Sequence, residues 1–170
     1  MFDYPSDIRS DIAEAHRAYW QKLAKPGNWW NGAQRVAIAQ ASRDAVQCEL
    51  CRERREALSP NSVKGEHDGA ENLNLPAAAI DAAHRIVTDQ SRISQSYIEG
   101  LDAEGVSEAA YVELVGIVVV VLSIDEFHRA MGMPLENLPT PIAGDPDGYY
   151  PTQAETGTGF VRMVPRDGAT

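Results

Sequence analysis

The chain holds only two cysteines, and they stand three apart in Cys48-Glu49-Leu50-Cys51. On a helix, positions i and i+3 share a face, so both sulfurs would point the same way. Two thiols so placed can close a small disulfide or share a metal ion. Arg43 precedes the pair, and Arg52, Arg54 and Arg55 follow it. Nearby positive charge favours the thiolate, the reactive form, so the leading expectation is a dithiol redox centre. The alternative is an inert or metal-binding role. A structural zinc site usually shows a second ligand pair at short spacing. His67 offers a third ligand, yet no further histidine follows it closely. Haem attachment would require histidine where Arg52 stands.

Three other ionisable residues are candidates for a place beside the thiols. Glu113 and His128 lie at the two ends of a long apolar stretch, and His84 lies in the helical pattern before it. Glu113 and His128 fall about 60° apart around an ideal helix, so they can share a side without touching. The plainer reading makes Glu113 a first-turn charge and His128 a last-turn residue, each favoured by the helix dipole. Tyr97 and Tyr111 read as half-buried packing residues, and His16 as a surface residue. Trp29 and Trp30 read as packing anchors at a helix entry rather than a substrate wall.

The elements that must position these groups are helical. Ser6 and Asp7 can cap a first helix running to about Leu23, with Ile8, Ile12, Ala15, Tyr19 and Leu23 on one stripe. Lys25-Pro26-Gly27-Asn28 ends it. From Gln34 to about Leu58 the pattern is again helical and carries the cysteines, as one bent helix or two short ones. Residues 61–75 read as a polar loop. Helices are expected over Ala77 to about Asp89, Ser91 to Leu101, and from Ser107 to about Met131, closed by Gly132 and Pro134. Ile117-Val118-Val119-Val120-Val121-Leu122 taken alone has the composition of a buried strand. No second strand of comparable strength exists to pair with it, so a buried helix is the expectation.

After Leu138 the composition changes. Pro139, Pro141, Pro146, Pro151 and Pro165, with glycines from Gly144 to Gly168, make an irregular tail. The chain therefore divides into a helical domain over 1–138 and a tail over 139–170. Its formal net charge is -10, from 25 acidic against 15 basic residues. That balance argues against nucleic acid or an anionic membrane as partner. The N-terminus has no basic or apolar leader pattern, and the longest apolar run is too short to span a bilayer, so the expected location is cytoplasmic. There a Cys-x-x-Cys pair is expected to cycle rather than to staple.

With these residues placed, the chain resembles the alkylhydroperoxidase D-like family, also called the carboxymuconolactone decarboxylase superfamily. The resemblance spans about residues 8–140. It is carried by Trp29-Trp30-Asn31-Gly32-Ala33-Gln34-Arg35-Val36-Ala37-Ile38-Ala39, by Cys48 and Cys51, by Tyr111-Val112-Glu113-Leu114-Val115-Gly116, and by Phe127-His128-Arg129-Ala130-Met131-Gly132-Met133-Pro134-Leu135. It implies an all-α helical bundle, a homo-oligomer, and a cysteine pair that reduces hydroperoxides with a glutamate and histidine relay. The family's relay positions hold Val36 and Arg55 here, so those roles are not carried over. The resemblance also makes Cys51 the peroxide-reactive sulfur and Cys48 the resolving one.

The reading is an all-α thiol-dependent oxidoreductase reducing a peroxide or small disulfide, with Cys48, Cys51, Glu113, His128 and His84 as its site. A thiol reductant is its expected partner. No organic cofactor is implied, since no glycine-rich nucleotide loop is present. The rivals are a non-catalytic redox sensor or interaction protein on the same fold, and a metal-binding protein using the cysteines and histidines.

Overall fold

A computed structural model describes residues 3–165. Six helices follow in order: α1 (Ser10–Leu23), α2 (Gly32–Asp44), α3 (Glu49–Glu56), α4 (Ala77–Thr88), α5 (Gln95–Ala103) and α6 (Glu108–Ala130), joined by short 3-10 turns. Among the described residues the only β pairing is an isolated bridge between Glu155 and Met163. The fold is all-α.

The six-residue run from Ile117 to Leu122 lies in the middle of α6. Its β-branched side chains lower intrinsic helix propensity, but burial outweighs that cost. Leu114, Ile117, Val118, Val121 and Ile124 are all buried, and they meet Ile38 and Ala39 of α2 and Ala79, Ala82 and Ala83 of α4 in one core. Alanines on α4 let its backbone approach α6 closely. Truncating a large member such as Leu114 to alanine would cost about 2–5 kcal/mol. One expectation is corrected here: α6 is not apolar and buried all round, because Val112, Gly116 and Val119 are exposed along one face.

Helix starts follow side-chain chemistry where it is present. Asn31 and Gln34 form a reciprocal capping box at α2, and the Ser94 and Ser107 hydroxyls accept from the third backbone N–H of α5 and α6. The first helix departs from expectation. It begins at Ser10 after an uncapped Arg9, and buries Ala13, Trp20 and Leu23 rather than the stripe through Ile8 and Ile12. The indole of Trp20 donates to the Asn137 carbonyl at 2.8 Å, which favours turning this face inward.

At its C-terminus α6 stops at Gly132, whose φ of 66° suits a residue without Cβ. Residues 133–165 form no helix. They run back over the α1–α2 turn, where Ile142 N–H donates to Ala24 O and Gly148 N–H to Asn28 O, each at 2.7 Å. Residues 166–170, including Gly168, lie outside the described residues. Among the described residues no single helix is long and apolar enough to cross a membrane.

Candidate metal centre

The cysteines sit where the second helical pattern breaks. After α2 the chain makes a 3-10 turn over Ala45–Gln47, and Cys48 is the extended residue that precedes α3. No glycine or proline marks this break. Of the two arrangements the sequence left open, two short helices flank the turn, and the Cys48 N–H is bonded to Ala45 O at 3.3 Å. Asp68, from the loop expected at residues 61–75, supplies what the sequence before Cys48 lacks. Its carboxylate accepts the Glu49 N–H at 2.9 Å, at the first residue of α3.

That contact docks the loop and brings His67 onto the sulfurs. Gly69 holds the turn: its φ is 79°, and a Cβ there would lie 2.7 Å from the Asp44 carboxylate. His67 Nδ1 lies 3.6 Å from Cys48 Sγ and 3.5 Å from Cys51 Sγ. His84, from the middle of α4, puts its Nδ1 3.4 Å from Cys51 Sγ. One ligand atom from each of the four residues lies within 4.8 Å of every other. All four are buried, at 2%, 6%, 8% and 0% exposure for Cys48, Cys51, His67 and His84. The sulfurs are free thiols rather than a disulfide.

A second layer of groups orients His67. Its Nε2 lies 3.1 Å from Asp81 Oδ1. With the proton on Nε2 donated to that carboxylate, the Nδ1 lone pair faces the two sulfurs. Asp81 is itself gripped by Arg54 at 2.6 Å, Arg85 at 2.6 Å and the Tyr97 hydroxyl at 2.8 Å. Burial alone would raise the Asp81 pKa, but hydrogen bonds from His67, Arg85 and Arg54 and the charge of Arg85 hold it well below the usual carboxylate range. The carboxylate therefore stays an acceptor.

Two electrostatic expectations are overturned. Burial pushes the Cys51 thiol up to about 12, and nearby Arg54 offsets this only in part. Arg55 is exposed, and Arg52 pairs with Glu49, so the arginines do not crowd the sulfurs as their spacing suggested. Burial, then the neighbouring His67, lowers the His84 pKa to about 3, which keeps that ring neutral.

The other residues expected near the thiols have hydrogen bonds elsewhere. Glu113 pairs with Arg35 and accepts the Trp29 N–H at 2.7 Å. His128 meets the Tyr4 hydroxyl at 2.9 Å and the Pro134 carbonyl at 2.7 Å. His16 is half-buried rather than a surface residue, and lies 2.5 Å from the same Tyr4 hydroxyl. The site thus unites Cys48, Cys51 and His84 with His67, which the sequence offered only as a third ligand. Asp81 was missed, because an aspartate inside a helical pattern gives no sign of what it faces.

Chemically, two thiolates and two neutral imidazoles form the donor set of a closed tetrahedral zinc site. With Zn–S of about 2.3 Å and Zn–N of about 2.0–2.1 Å, the edges of that tetrahedron span about 3.3–3.8 Å. The three sulfur–nitrogen separations, 3.4, 3.5 and 3.6 Å, fall within that range. The same four groups also contain what a dithiol redox centre needs, two reduced sulfurs and an imidazole acceptor. No protein-family model, curated protein or solved structure matches the chain.

Proposed function

We propose that Cys48, Cys51, His67 and His84 bind a zinc ion, and that the ion's task is structural. The observation that carries this reading is the convergence of four buried donor atoms within 4.8 Å of one another. Two thiolates cancel the charge of Zn²⁺, so the loaded site is neutral and suited to the interior. The four ligands leave no open coordination position for substrate. A cavity of about 770 Å³ adjoins the site, and it is lined by His67 and Asp81 but by neither sulfur. The ion would fasten α3 and the loop of residues 61–75 to α4, a region where α3 otherwise contributes only Leu50 and Cys51 to the interior.

The test is metal analysis of the full chain purified under reducing conditions. One equivalent of zinc per chain is expected, falling to background in Cys51→Ser and in His84→Ala. Cobalt in its place should give the intense visible absorption of a tetrahedral thiolate complex. A metal-free wild-type chain that stays empty when zinc is added sinks the reading.

A second reading keeps the same residues as a thiol-dependent redox pair. It is favoured by one observation: both sulfurs face His67 Nδ1, an acceptor for a thiol proton. One sulfur would attack a peroxide O–O bond to give a sulfenic acid and release an alcohol or water. The other would displace water to close the Cys48–Cys51 disulfide, and an external dithiol would return two electrons and two protons. The all-helical fold accords with the resemblance to the alkylhydroperoxidase D-like family, and the exposed Val112 and Val119 accord with a homo-oligomer. Turnover of an alkyl hydroperoxide with dithiothreitol by zinc-free protein supports this reading, and inertness of that protein removes it.

A further inference from the structure

The cavity of about 770 Å³ beside the cysteine–histidine cluster has a volume in the range of small-molecule sites. Its inner wall is basic, because one carboxylate serves two guanidinium groups there. Asp81 Oδ1 accepts from Arg54 and His67, and Oδ2 accepts from Arg85 and Tyr97. Both oxygens of Asp81 are therefore committed. Arg54 and Arg85, with side chains only 16% and 17% exposed, carry two positive charges against its single negative one.

The surplus charge sits on nitrogens that a ligand can reach. Arg85 uses only Nε, so its Nη1 and Nη2 have no hydrogen bond among the described residues, and neither has Arg54 Nη2. The described side-chain atoms that are both buried and unpartnered are Tyr19 Oη, Arg35 Nε and His84 Nε2, and these three nitrogens are not among them. They are open to solvent, at a cavity that both arginines line. The Arg85 guanidinium also lies 4.7 Å from the centre of the Tyr97 ring, which holds its plane in place. A fixed fork with two free nitrogens matches the two oxygens of a carboxylate.

The mouth of the cavity has the opposite sign. Glu66, Glu71 and Glu104 line it, all exposed and none in an ion pair among the described residues. Three carboxylates repel a simple anion on its way to Arg85 and attract a cation. Leu75, Ile80 and Leu101 supply apolar wall. Gly100 keeps the α5 side open. A Cβ there would meet nothing within 4 Å, although glycine inside a helix costs stability relative to alanine. We propose that this cavity binds a small zwitterion, its carboxylate held by Arg85 and Arg54 and its ammonium group by the acidic mouth, with a hydrocarbon stretch between the two.

The full chain would be titrated by calorimetry with 4-aminobutanoate, 6-aminohexanoate and 8-aminooctanoate, and with hexanoate and hexylamine. At least one amino acid of the series is expected to bind saturably. Hexanoate and hexylamine should bind about tenfold more weakly or worse, as the loss of a charged hydrogen-bonding group implies. Arg85→Lys, which keeps the charge but not the fork, should weaken amino-acid binding by about tenfold. Glu71→Gln with Glu104→Gln, both at exposed positions, should weaken the amino acid and leave hexanoate unchanged or tighter. Gly100→Phe, at a site with room for a side chain and with a gain in helix propensity, should fill the cavity and abolish saturation. No saturable binding across the series overturns the proposal, as do equal affinities for amino acid, hexanoate and hexylamine, or a Gly100→Phe chain that binds like wild type. Zinc content, measured on each protein, reads the other site, so failure here is distinct from failure there.

Discussion

The imidazoles of His67 and His84, seventeen residues apart in sequence, lie with ring centroids 4.1 Å apart and planes tilted by 44°. Two cationic rings so close in a buried site would repel strongly, and burial, then the neighbouring His67, holds the His84 pKa down to about 3, so the His84 ring is neutral, as metal ligation requires. One ring comes from a loop and the other from the centre of α4. Their approach therefore reports how the loop is docked, and a shared ion would lock it. Chelation of zinc from the purified chain is expected to lower its melting temperature by about 10 °C or more, at about 2–4 °C per kcal/mol for a chain of this size. Differential scanning calorimetry with and without a chelator measures this. A melting temperature unmoved by complete zinc removal would leave the ion without a structural role.

Asp81 touches no sulfur, yet it fixes the His67 ring. Asp81→Asn keeps the volume but removes the charge that holds the Nε2 proton. Zinc affinity is expected to fall about 10–100-fold, as for other outer-layer partners of metal-bound histidine. Competition with a chromophoric chelator gives the constant. An affinity equal to wild type would show that Asp81 serves only Arg54, Arg85 and Tyr97.

The Tyr97 hydroxyl donates to Asp81 at 2.8 Å. Burial first, and then the Asp81 charge, raises the Tyr97 pKa above its ordinary value of 10.0. A raised folded-state pKa means that the unfolded chain loses this proton first. Its stabilising effect is thus complete below pH 10 and is lost as pH climbs from there toward the folded-state value. Urea unfolding between about pH 8 and pH 11 should show declining stability, and Tyr97→Phe should flatten the decline while costing about 1 kcal/mol at neutral pH. Equal alkaline slopes in the two proteins would contradict this account.

Arg35 and Glu113 form the other buried charge pair, with side chains 6% and 14% exposed. Removing one partner strands the other charge. Glu113→Leu is expected to cost about 3–5 kcal/mol, whereas Arg35→Met with Glu113→Leu together should recover much of that loss. A double-mutant cycle by urea unfolding reads the coupling. Additive single and double effects would mean that solvent already screens the pair.

The sequence by itself determined the helical class and the approximate place of most helices, but not the inward face of α1, where Ala13 and Trp20 are buried in place of Ile8 and Ile12, nor the break between α2 and α3. The apolar spacing of α6, the Asn31–Gln34 and Ser107 starts and the Gly132–Pro134 stop are local properties, written in neighbouring residues. They also placed Cys48 and Cys51 together, since a short separation fixes proximity whatever the fold. The tertiary structure alone decided what those sulfurs face. His67 and His84 reach them from two elements far along the chain, and neither histidine has a ligand neighbour at short spacing to announce it. Burial, which depends on the whole packing, set the direction of the Cys51 shift against the pull of Arg54. It likewise drew Glu113 and His128 to Arg35 and Tyr4. A helix's periodicity states which face turns inward, but only the packing of distant segments states what that face meets.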